Sequence, residues 1–311
     1  MMASRRAQLA PTGVAAVLLV GIGVGCASGG RGDWPVSAEV HPAEPVPPPS
    51  TRPSPALRVA SYNLARQRDP NRALPADLRA VAADVWLLQE VRLPRAKGPS
   101  GSTATSGELR ALFDDPGWHF AVARVNPIDS RAASDVEAQV IASRLPILRA
   151  EAWPLASAST RRRVALAAWL DVGGSELLVV NTDHEPGFLS LAATQDGHRR
   201  DLVAHLEHYR GTPTIVGGDF NTVGNVWRLR TSRADARAAR RALAQAGFAA
   251  AVALPAATFS AGIVDGWLDH LFASGVRVDG GGVASAARTS DHRPIWISVT
   301  PGLTVRQGAA R

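Results

Sequence analysis

Apolar runs of two distinct periodicities alternate along the chain between residues 57 and 299. Short runs rich in β-branched residues predict strands, and longer runs with apolar residues three or four positions apart predict amphipathic helices. The predicted strands are 57–64, 84–91, 118–125, 138–144, 162–172, 175–182, 212–221, 267–274 and 293–299, and the predicted helices are 76–83, 107–113, 195–210 and 233–247. Several strands follow one another without a helix between them. We therefore expect an α/β fold in which two packed mixed β-sheets are flanked by helices.

The N-terminal segment has the layout of an export signal. Arg5 and Arg6 precede an apolar stretch, Val14–Val24, which is too short to span a bilayer, and Cys26 follows it. We predict a signal peptide over residues 1–26, exported by the Sec or the twin-arginine route, with Cys26 in a sequence similar to a lipoprotein cleavage site. Dense proline predicts an extended linker over residues 27–56, followed by a domain over residues 57–300 and a tail over 301–311.

The composition is that of a globular protein with an excess of positive charge. Hydrophobic residues make up 46% and charged residues 20% of the 311 residues, and the net charge is +7. This charge fits an ordinary solvated surface, and it also fits attraction to nucleic acid or anionic lipid. Cys26 is the only cysteine of the chain, so we expect no disulfide in the domain.

Polar residues suited to chemistry fall at the ends of the predicted strands. Asp219 and Asn221 end the stretch TIVGGDFN, and alternate strand residues share a face, so both should project together while Phe220 turns into the core. Singly, each such residue has a structural explanation, such as capping a turn. As a set they indicate one site for a metal, a water and a phosphate: Asn63, Gln89, Glu90, Asp219, Asn221, Asp269, His270, Asp291 and His292.

Seven stretches resemble, in the same order, motifs of the endonuclease/exonuclease/phosphatase superfamily of Mg²⁺-dependent phosphoesterases. They are VASYNL, VWLLQEV, VIASRLPI, LLVVNT, IVGGDFNT, WLDHLF and SDHRPIW, and they span most of residues 58–299. GDFN together with SDH at this separation is more specific than either motif alone. The resemblance implies a four-layered α/β sandwich with the site at one end of the paired sheets.

The resemblance also implies a metal site. Glu90 is expected to be the principal ligand of Mg²⁺, with Mn²⁺ as an alternative ion. Asn63 would adjoin the water shell of the metal, and Asp291 would be a further ligand. Hard oxygen donors in small number are what Mg²⁺ prefers when a phosphate supplies the remaining ligands.

Catalytic roles follow from the resemblance for a second group of residues. Asp219 would orient or deprotonate the attacking water, and Asn221 would hold Asp219 or the phosphoryl oxygens. His292 would contact the phosphate, with Asp269 fixing the tautomer of its imidazole.

The sequence departs from the resemblance just after the strand 175–182. Many family members have a histidine directly after the residues NT, whereas here Asp183 occupies that position and His184 follows it. A shift of one residue turns a side chain to the other face of a strand. We expect a small bulge that returns His184 to the site as a catalytic residue, and the alternative is that Asp183 replaces it.

Together these features predict metal-dependent hydrolysis of a phosphate ester, preferentially a phosphodiester of nucleic acid or of a phospholipid headgroup. The alternative is a catalytically inactive surface lipoprotein that uses the same fold for binding. We expect a monomer that is exported to the cell envelope, either secreted or anchored in the membrane through Cys26. Contacts to nucleic acid, if that is the substrate, would come from residues 92–108 and 224–233.

Overall fold

The computed structural model describes residues 37–43, 56–65, 74–94, 100–113, 115–128, 135–157, 161–186, 192–225, 230–253, 257–261, 264–287 and 289–301. The predicted signal peptide with Cys26, most of the predicted linker and residues 302–311 lie outside these ranges. Within them, the elements in chain order are β1 (Ala38–His41), β2 (Leu57–Asn63), α1 (Leu74–Val81), β3 (Val85–Pro94), α2 (Ser100–Phe113), β4 (His119–Pro127), β5 (Asp135–Ser143), β6 (Ile147–Leu155), β7 (Arg163–Val172), β8 (Ser175–Asp183), α3 (Ala192–Glu207), β9 (Thr214–Asp219), β10 (Gly224–Asn225), β11 (Arg230–Thr231), α4 (Ser232–Gln245), β12 (Ala249–Ala250), β13 (Phe259–Ala261), β14 (Val264–Gly266), β15 (Asp269–Ser274), β16 (Val276–Val283) and β17 (Ile295–Pro301).

Two mixed sheets form the centre of the fold. The first sheet has the strand order β1-β4-β5-β3-β2-β17-β16, and the second has the order β12-β15-β9-β8-β7-β6. Each sheet contains one parallel pair, β2 with β3 and β8 with β9, among antiparallel neighbours. Two short hairpins, β10–β11 and β13–β14, lie outside both sheets.

Apolar side chains fill three layers between these elements. The inner faces of the two sheets pack together through residues such as Leu87 on β3 and Val179 on β8. Helices α1 and α2 cover the outer face of the first sheet, and α3 and α4 cover the outer face of the second. Burial of each such side chain stabilises the fold by about 1.5–3 kcal/mol. The predicted four-layered sandwich of two sheets and flanking helices is confirmed.

The predicted elements correspond to the interior strands of the two large sheets and to the four helices. The hairpin between β7 and β8 turns at Gly173 and Gly174, both with positive φ. Helix α4 ends at Gln245, two residues before Gly247, which has φ +89°. No helix of the described ranges has the length and apolar character that a membrane span requires.

One expectation about an irregular segment needs correction. Ala38–His41, within the predicted proline-rich linker, forms strand β1 and pairs with β4 at the edge of the first sheet. A strand of four residues carries too little pattern to be recognised, and pairing with β4 supplies its stability. Residues 92–108, considered as a possible nucleic-acid contact segment, include the end of β3 and the first half of α2.

Candidate active site

Three carboxylates stand in a row across the ends of adjacent strands in the second sheet. Asp183 of β8 is paired with Asp219 of β9, and Asp219 is paired with Asp269 of β15. Residues paired in this way share a face of the sheet. Gly217 precedes Asp219 by two positions, and a Cβ added there would lie 2.9 Å from Leu87 of the first sheet. The three carboxylates therefore face the first sheet, at the edge where β8 and β9 end and β15 begins.

His292 enters this row from the loop before β17. Its Nδ1 lies 2.9 Å from Asp269 Oδ2, and its Nε2 lies 3.8 Å from Asp219 Oδ2. Burial lowers the pKa of His292, but the negative charges of Asp269 and Asp219 outweigh it and raise the pKa to about 10. The imidazole is therefore a cation at neutral pH.

Asp219, Asp269 and His292 have ligand atoms within 4.8 Å of one another, a spacing that a metal ion could bridge. However, a protonated imidazole has no lone pair for a metal, and Nδ1 is already bound to Asp269. We therefore interpret the cluster as an acid–base group beside a metal. A cation fits there, because burial and the charges of Asp269 and Asp183 raise the pKa of Asp219 well above its ordinary value. The raised pKa means that the site holds too little positive charge to keep Asp219 ionised. Hard carboxylate oxygens in such a site suit a divalent ion.

Asn221 holds Asp219 from the turn after β9. Its backbone N donates to Asp219 Oδ1 at 2.7 Å, and its Nδ2 donates to Asp219 Oδ2 at 3.1 Å. Nδ2 also donates to the His184 carbonyl at 2.6 Å, and Gln195 Nε2 donates to the Asn221 carbonyl at 2.6 Å. Asn221 has φ +47°, a conformation that costs a non-glycine residue energy and that surrounding contacts must maintain. Of the two roles expected for Asn221, the structure contains the contact with Asp219.

The first sheet contributes Asn63 and Glu90. Asn63, at the end of β2, donates from Nδ2 to Asp219 Oδ2 at 3.0 Å and thereby joins the two sheets. Glu90 lies in a bulge of β3, where pairing with β5 shifts register between Leu88 and Val91, and it has φ +51°. Leu88 and Val91 both pack on the helical side, so the bulge adds one inward-facing residue. That residue is Glu90, and its negative charge acts on Asp183 and Arg163 of the second sheet.

The buried side-chain amides of Gln89 and Asn181 form a pair between the two sheets. Gln89 Nε2 donates to Asn181 Oδ1 at 2.6 Å, and Asn181 Nδ2 donates to the Leu88 carbonyl at 2.8 Å. These bonds cross from one sheet to the other and fix the separation of β3 and β8. Gln89 was singled out from the sequence by its place at a strand end, whereas the role of Asn181 was missed.

His184 does not reach the row of carboxylates. Its ring lies 4.7 Å from the ring of Phe220 and 5.2 Å from that of His198, on the side of the second sheet that α3 covers. Burial, together with His198 and Arg199, lowers the pKa of His184 well below its ordinary value. The expectation of a bulge that returns His184 to the site is therefore wrong, because regular alternation continues through Asp183. The alternative, in which Asp183 occupies the inward position, is what the structure contains.

Asp183 is paired with a buried arginine that sequence reasoning missed. Arg163 Nη1 lies 2.5 Å from Asp183 Oδ2, and both side chains are less than 10% exposed. Burial and the charges of Glu90 and Glu137 raise the pKa of Asp183 to about 7, although Arg163 opposes the shift. The only sequence signal for this pair is the cluster Arg161–Arg163, which gives no indication of its partner.

Asp291 and His270 flank the cluster differently. The Asp291 carboxyl accepts from Ser290 Oγ at 3.3 Å, and its charge contributes to the raised pKa of His292. It is partly exposed, whereas Asp219, Asp269 and His292 are buried. His270 points the other way, with Nε2 3.2 Å from Thr222 Oγ1 and its ring 5.6 Å from Phe220. His270 belongs to the packing of the helical side.

The model of the endonuclease/exonuclease/phosphatase family matches residues 60–292 of the chain. The chain belongs to this family. Members of the family are phosphoester hydrolases that generally depend on a divalent metal, and the buried acidic cluster with His292 agrees with that chemistry. None of the curated proteins compared with the chain matches it significantly.

Solved structures of other family members share the fold. An endonuclease/exonuclease/phosphatase from Beutenbergia cavernae is 23% identical with a TM-score of 0.63, over 79% of this chain and 72% of that one. The catalytic domain of human nocturnin with bound sulfate is 15% identical with a TM-score of 0.53, over 79% and 94%. A mannosyl-6-phosphatase from Bacteroides thetaiotaomicron is 16% identical with a TM-score of 0.53, over 78% and 99%. At these identities the likeness shows the fold alone.

Proposed function

We propose that the protein hydrolyses a phosphodiester with the help of Mg²⁺, or of Mn²⁺ as an alternative ion. The observation that carries the proposal is the buried cluster of Asp219, Asp269 and cationic His292 at one end of the paired sheets. A surface-exposed group of the same residues would be unremarkable, but buried carboxylates beside an imidazolium are costly unless substrate and metal complete the site.

Asp219 acts on the attacking water in this proposal. Two donors of Asn221 and one of Asn63 hold its carboxylate in place, so an oxygen that accepts a proton from water is already oriented. A bound divalent ion would make Asp219 the anion that this role requires, since positive charge favours the ionised carboxylate.

His292 binds the phosphoryl group. Its Nδ1 is held by Asp269, which leaves Nε2 directed towards Asp219 and the space in front of it. A cationic donor at that position would stabilise the negative charge that develops on the phosphoryl oxygens in the transition state. Asp269 is thus a positioning residue for His292.

Glu90, Asn63 and Asp291 would surround the metal. Glu90 and Asn63 come from the first sheet and Asp291 from the loop before β17, so the ion would lie where the two sheets open. The metal would polarise the phosphoryl group and stabilise the leaving oxygen. We further propose that the protein acts outside the cytoplasm, anchored through Cys26, on the basis of the N-terminal sequence.

The test is hydrolysis of bis(p-nitrophenyl) phosphate and of p-nitrophenyl phosphate by the purified protein, with Mg²⁺ and with EDTA. We expect metal-dependent turnover that is faster for the diester. Asp219→Ala should lower kcat by a factor of at least about 10² while the far-ultraviolet circular dichroism stays unchanged.

Glu207→Ala is the matched control, because Glu207 is an exposed acid that pairs with Arg210 at the other end of β9. It should leave kcat unchanged. An Asp219→Ala protein with near-normal kcat would remove Asp219 from the mechanism. Absence of turnover in the normal protein on either ester would favour the catalytically inactive binding protein.

A further inference from the structure

Strand β1 joins the first sheet with its N-terminal end level with the candidate active site. Ala38 is paired with Ala123 of β4, and Ala123 is paired with Gln139 of β5. Gln139 in turn lies opposite the β3 bulge that contains Glu90. The first residue of β1 therefore lies at the same level along the strands as the proposed metal ligand, Glu90.

The direction of β1 decides where the preceding chain leaves the domain. From Ala38 the strand runs away from the site to His41, which is paired with Phe120 near the start of β4. Three strand spacings separate β1 from β3, or about 14 Å. The chain that precedes β1 therefore emerges about 14 Å to the side of Glu90, at the catalytic end of the sandwich.

Contacts within the sheet hold β1 in this position. Glu39 forms an ion pair with Arg124 of β4 and lies 3.4 Å from His41 Nε2. Just after the strand, the backbone N of Ala43 donates to His119 Nδ1 at 3.1 Å. The exit point is thus part of the folded domain, although β1 lies outside the region that the family model matches.

The segment between Cys26 and this exit point is short. Ten residues, 27–36, separate Cys26 from Ser37. Whatever their conformation, they cannot extend over more than about 40 Å. A lipid on Cys26 would keep the catalytic end of the sandwich within that distance of the membrane. Exit at the far end of β4, four residues away at His119, would move the site further from the membrane by about 13 Å.

We infer that the substrate is the phosphodiester headgroup of a phospholipid in the membrane that carries the protein's own anchor. This inference rests on the proposed phosphodiesterase activity and on the lipidation of Cys26. In the reaction the water oxygen bonds to phosphorus and one P–O ester bond breaks. One proton of the water passes to Asp219, which later returns it to solvent, and the leaving oxygen takes a proton from solvent to become an alcohol. The phosphate becomes a monoester.

Position supports this substrate, whereas charge does not select it. Among the residues that the structure describes, exposed arginines occur at both ends of the sandwich, with Arg92 at the catalytic end and Arg210 at the other. These arginines therefore do not distinguish nucleic acid from a phospholipid headgroup. The anchor acts differently, because attachment beside the site raises the effective concentration of headgroups there without any new contact.

The test attaches the mature chain, starting at Cys26, to a maleimide lipid in vesicles of phosphatidylcholine and phosphatidylglycerol. Cys26 is the only cysteine, so the attachment is specific. We expect attached protein to hydrolyse vesicle phospholipid at least about tenfold faster than protein whose Cys26 is capped with N-ethylmaleimide. Both should hydrolyse soluble bis(p-nitrophenyl) phosphate at the same rate.

A matched variant moves the anchor to the other end of the molecule. Arg210→Cys combined with Cys26→Ser places the attachment in the turn before β9, where Arg210 is 70% exposed and pairs with the exposed Glu207. We expect phospholipid turnover to fall to the level of the capped protein, with turnover of the soluble diester unchanged.

The outcomes separate the two proposals. Equal phospholipid turnover from both anchor positions would overturn the inference, as would hydrolysis of the soluble diester without any phospholipid turnover. In both of those cases the proposed phosphodiesterase activity would stand. Absence of turnover on both substrates would overturn the proposed function together with the inference.

Discussion

Asp183 and Arg163 form an ion pair in the interior of the domain, beside the proposed catalytic carboxylates. Burying two charges costs several kcal/mol per ion, and their attraction offsets this cost only while both partners are present. Arg163 Nε has no hydrogen-bond partner among the described residues, so the pair depends on the contact with Asp183. The pair fixes the inward position that the family resemblance led us to assign to a histidine.

Removal of one partner of this pair should destabilise the protein strongly. We expect Asp183→Ala to lower the free energy of unfolding by about 3–5 kcal/mol, because Arg163 stays buried and loses the carboxylate that it contacts. The double variant Asp183→Ala with Arg163→Met should recover much of this loss in guanidinium denaturation. An Asp183→Ala protein as stable as the parent would show that Arg163 finds another partner or reaches solvent.

The metal-free protein should become less stable as pH rises, because His292 and Asp219 hold their protons more tightly in the folded state than in the unfolded state. The pKa of His292 is raised to about 10, so its stabilising contribution is complete below the ordinary value of 6.5 and is lost as pH rises to 10. The raised pKa of Asp219 acts in the same direction above 3.8. Denaturation in EDTA at pH 6, 8 and 10 should show a fall in stability that His292→Asn reduces. A flat profile would contradict the raised pKa of His292.

Individual site residues were predictable where strand alternation decides orientation. Asp219 ends an unambiguous buried strand, and its inward side follows from the period of two of that strand. Asn221 was also named correctly as a partner of Asp219, but it lies in the turn after β9 with φ +47°, where strand alternation does not apply. His184 was assigned to the wrong side because the prediction inserted a bulge that β8 does not have. The actual bulge is at Glu90 in β3, where the sequence carries no glycine to indicate it.

At the scale of secondary-structure elements, the parallel pair β8–β9 requires glycine at its closest point. Gly218 has φ +142°, and a Cβ there would overlap the carbonyl oxygen of Thr182. Gly217 faces Leu87 of the first sheet at the same level, so this part of β9 is confined on both sides. The two glycines of TIVGGDFN thus let β9 carry Asp219 into the site.

We expect Gly218→Ala to destabilise the protein by about 3 kcal/mol or more, because both the backbone conformation and the space exclude a methyl group. Gly280→Ala is a suitable comparison, since a Cβ at Gly280 on β16 meets nothing within 4 Å. That variant should change stability by less than about 0.5 kcal/mol. Thermal unfolding of the two variants measures the difference, and similar melting temperatures would contradict it.

The strands that sequence reasoning missed include all four edges of the two large sheets: β1, β16, β6 and β12. Edge strands can contain proline and glycine and need only one bonded neighbour. β6 includes Pro154, and β16 contains three consecutive glycines, so neither has the apolar run of an interior strand. The interior strands were found because both of their faces are covered.

At the scale of the whole molecule, the proposed metal should stabilise the fold because its ligands come from both sheets. At a Mg²⁺ concentration 100 times the dissociation constant, a single site contributes about 2.7 kcal/mol to the free energy of unfolding. For a domain of this size, that raises Tm by roughly 5–10 °C. The rise should vanish with EDTA and be much smaller in Glu90→Gln. An equal rise in Glu90→Gln would remove Glu90 from the metal site.

The sequence alone determined the layers of the fold and the family, and it named most of the residues of the candidate site, because these depend on local periodicity and on short motifs at strand ends. The tertiary structure decided what depends on contacts between distant segments. It paired Arg163 with Asp183, turned His184 towards α3, placed Glu90 inward through a bulge and added β1 to a sheet edge. Each of these arises from register and packing between strands, and a one-dimensional pattern does not encode the side on which a neighbour will lie.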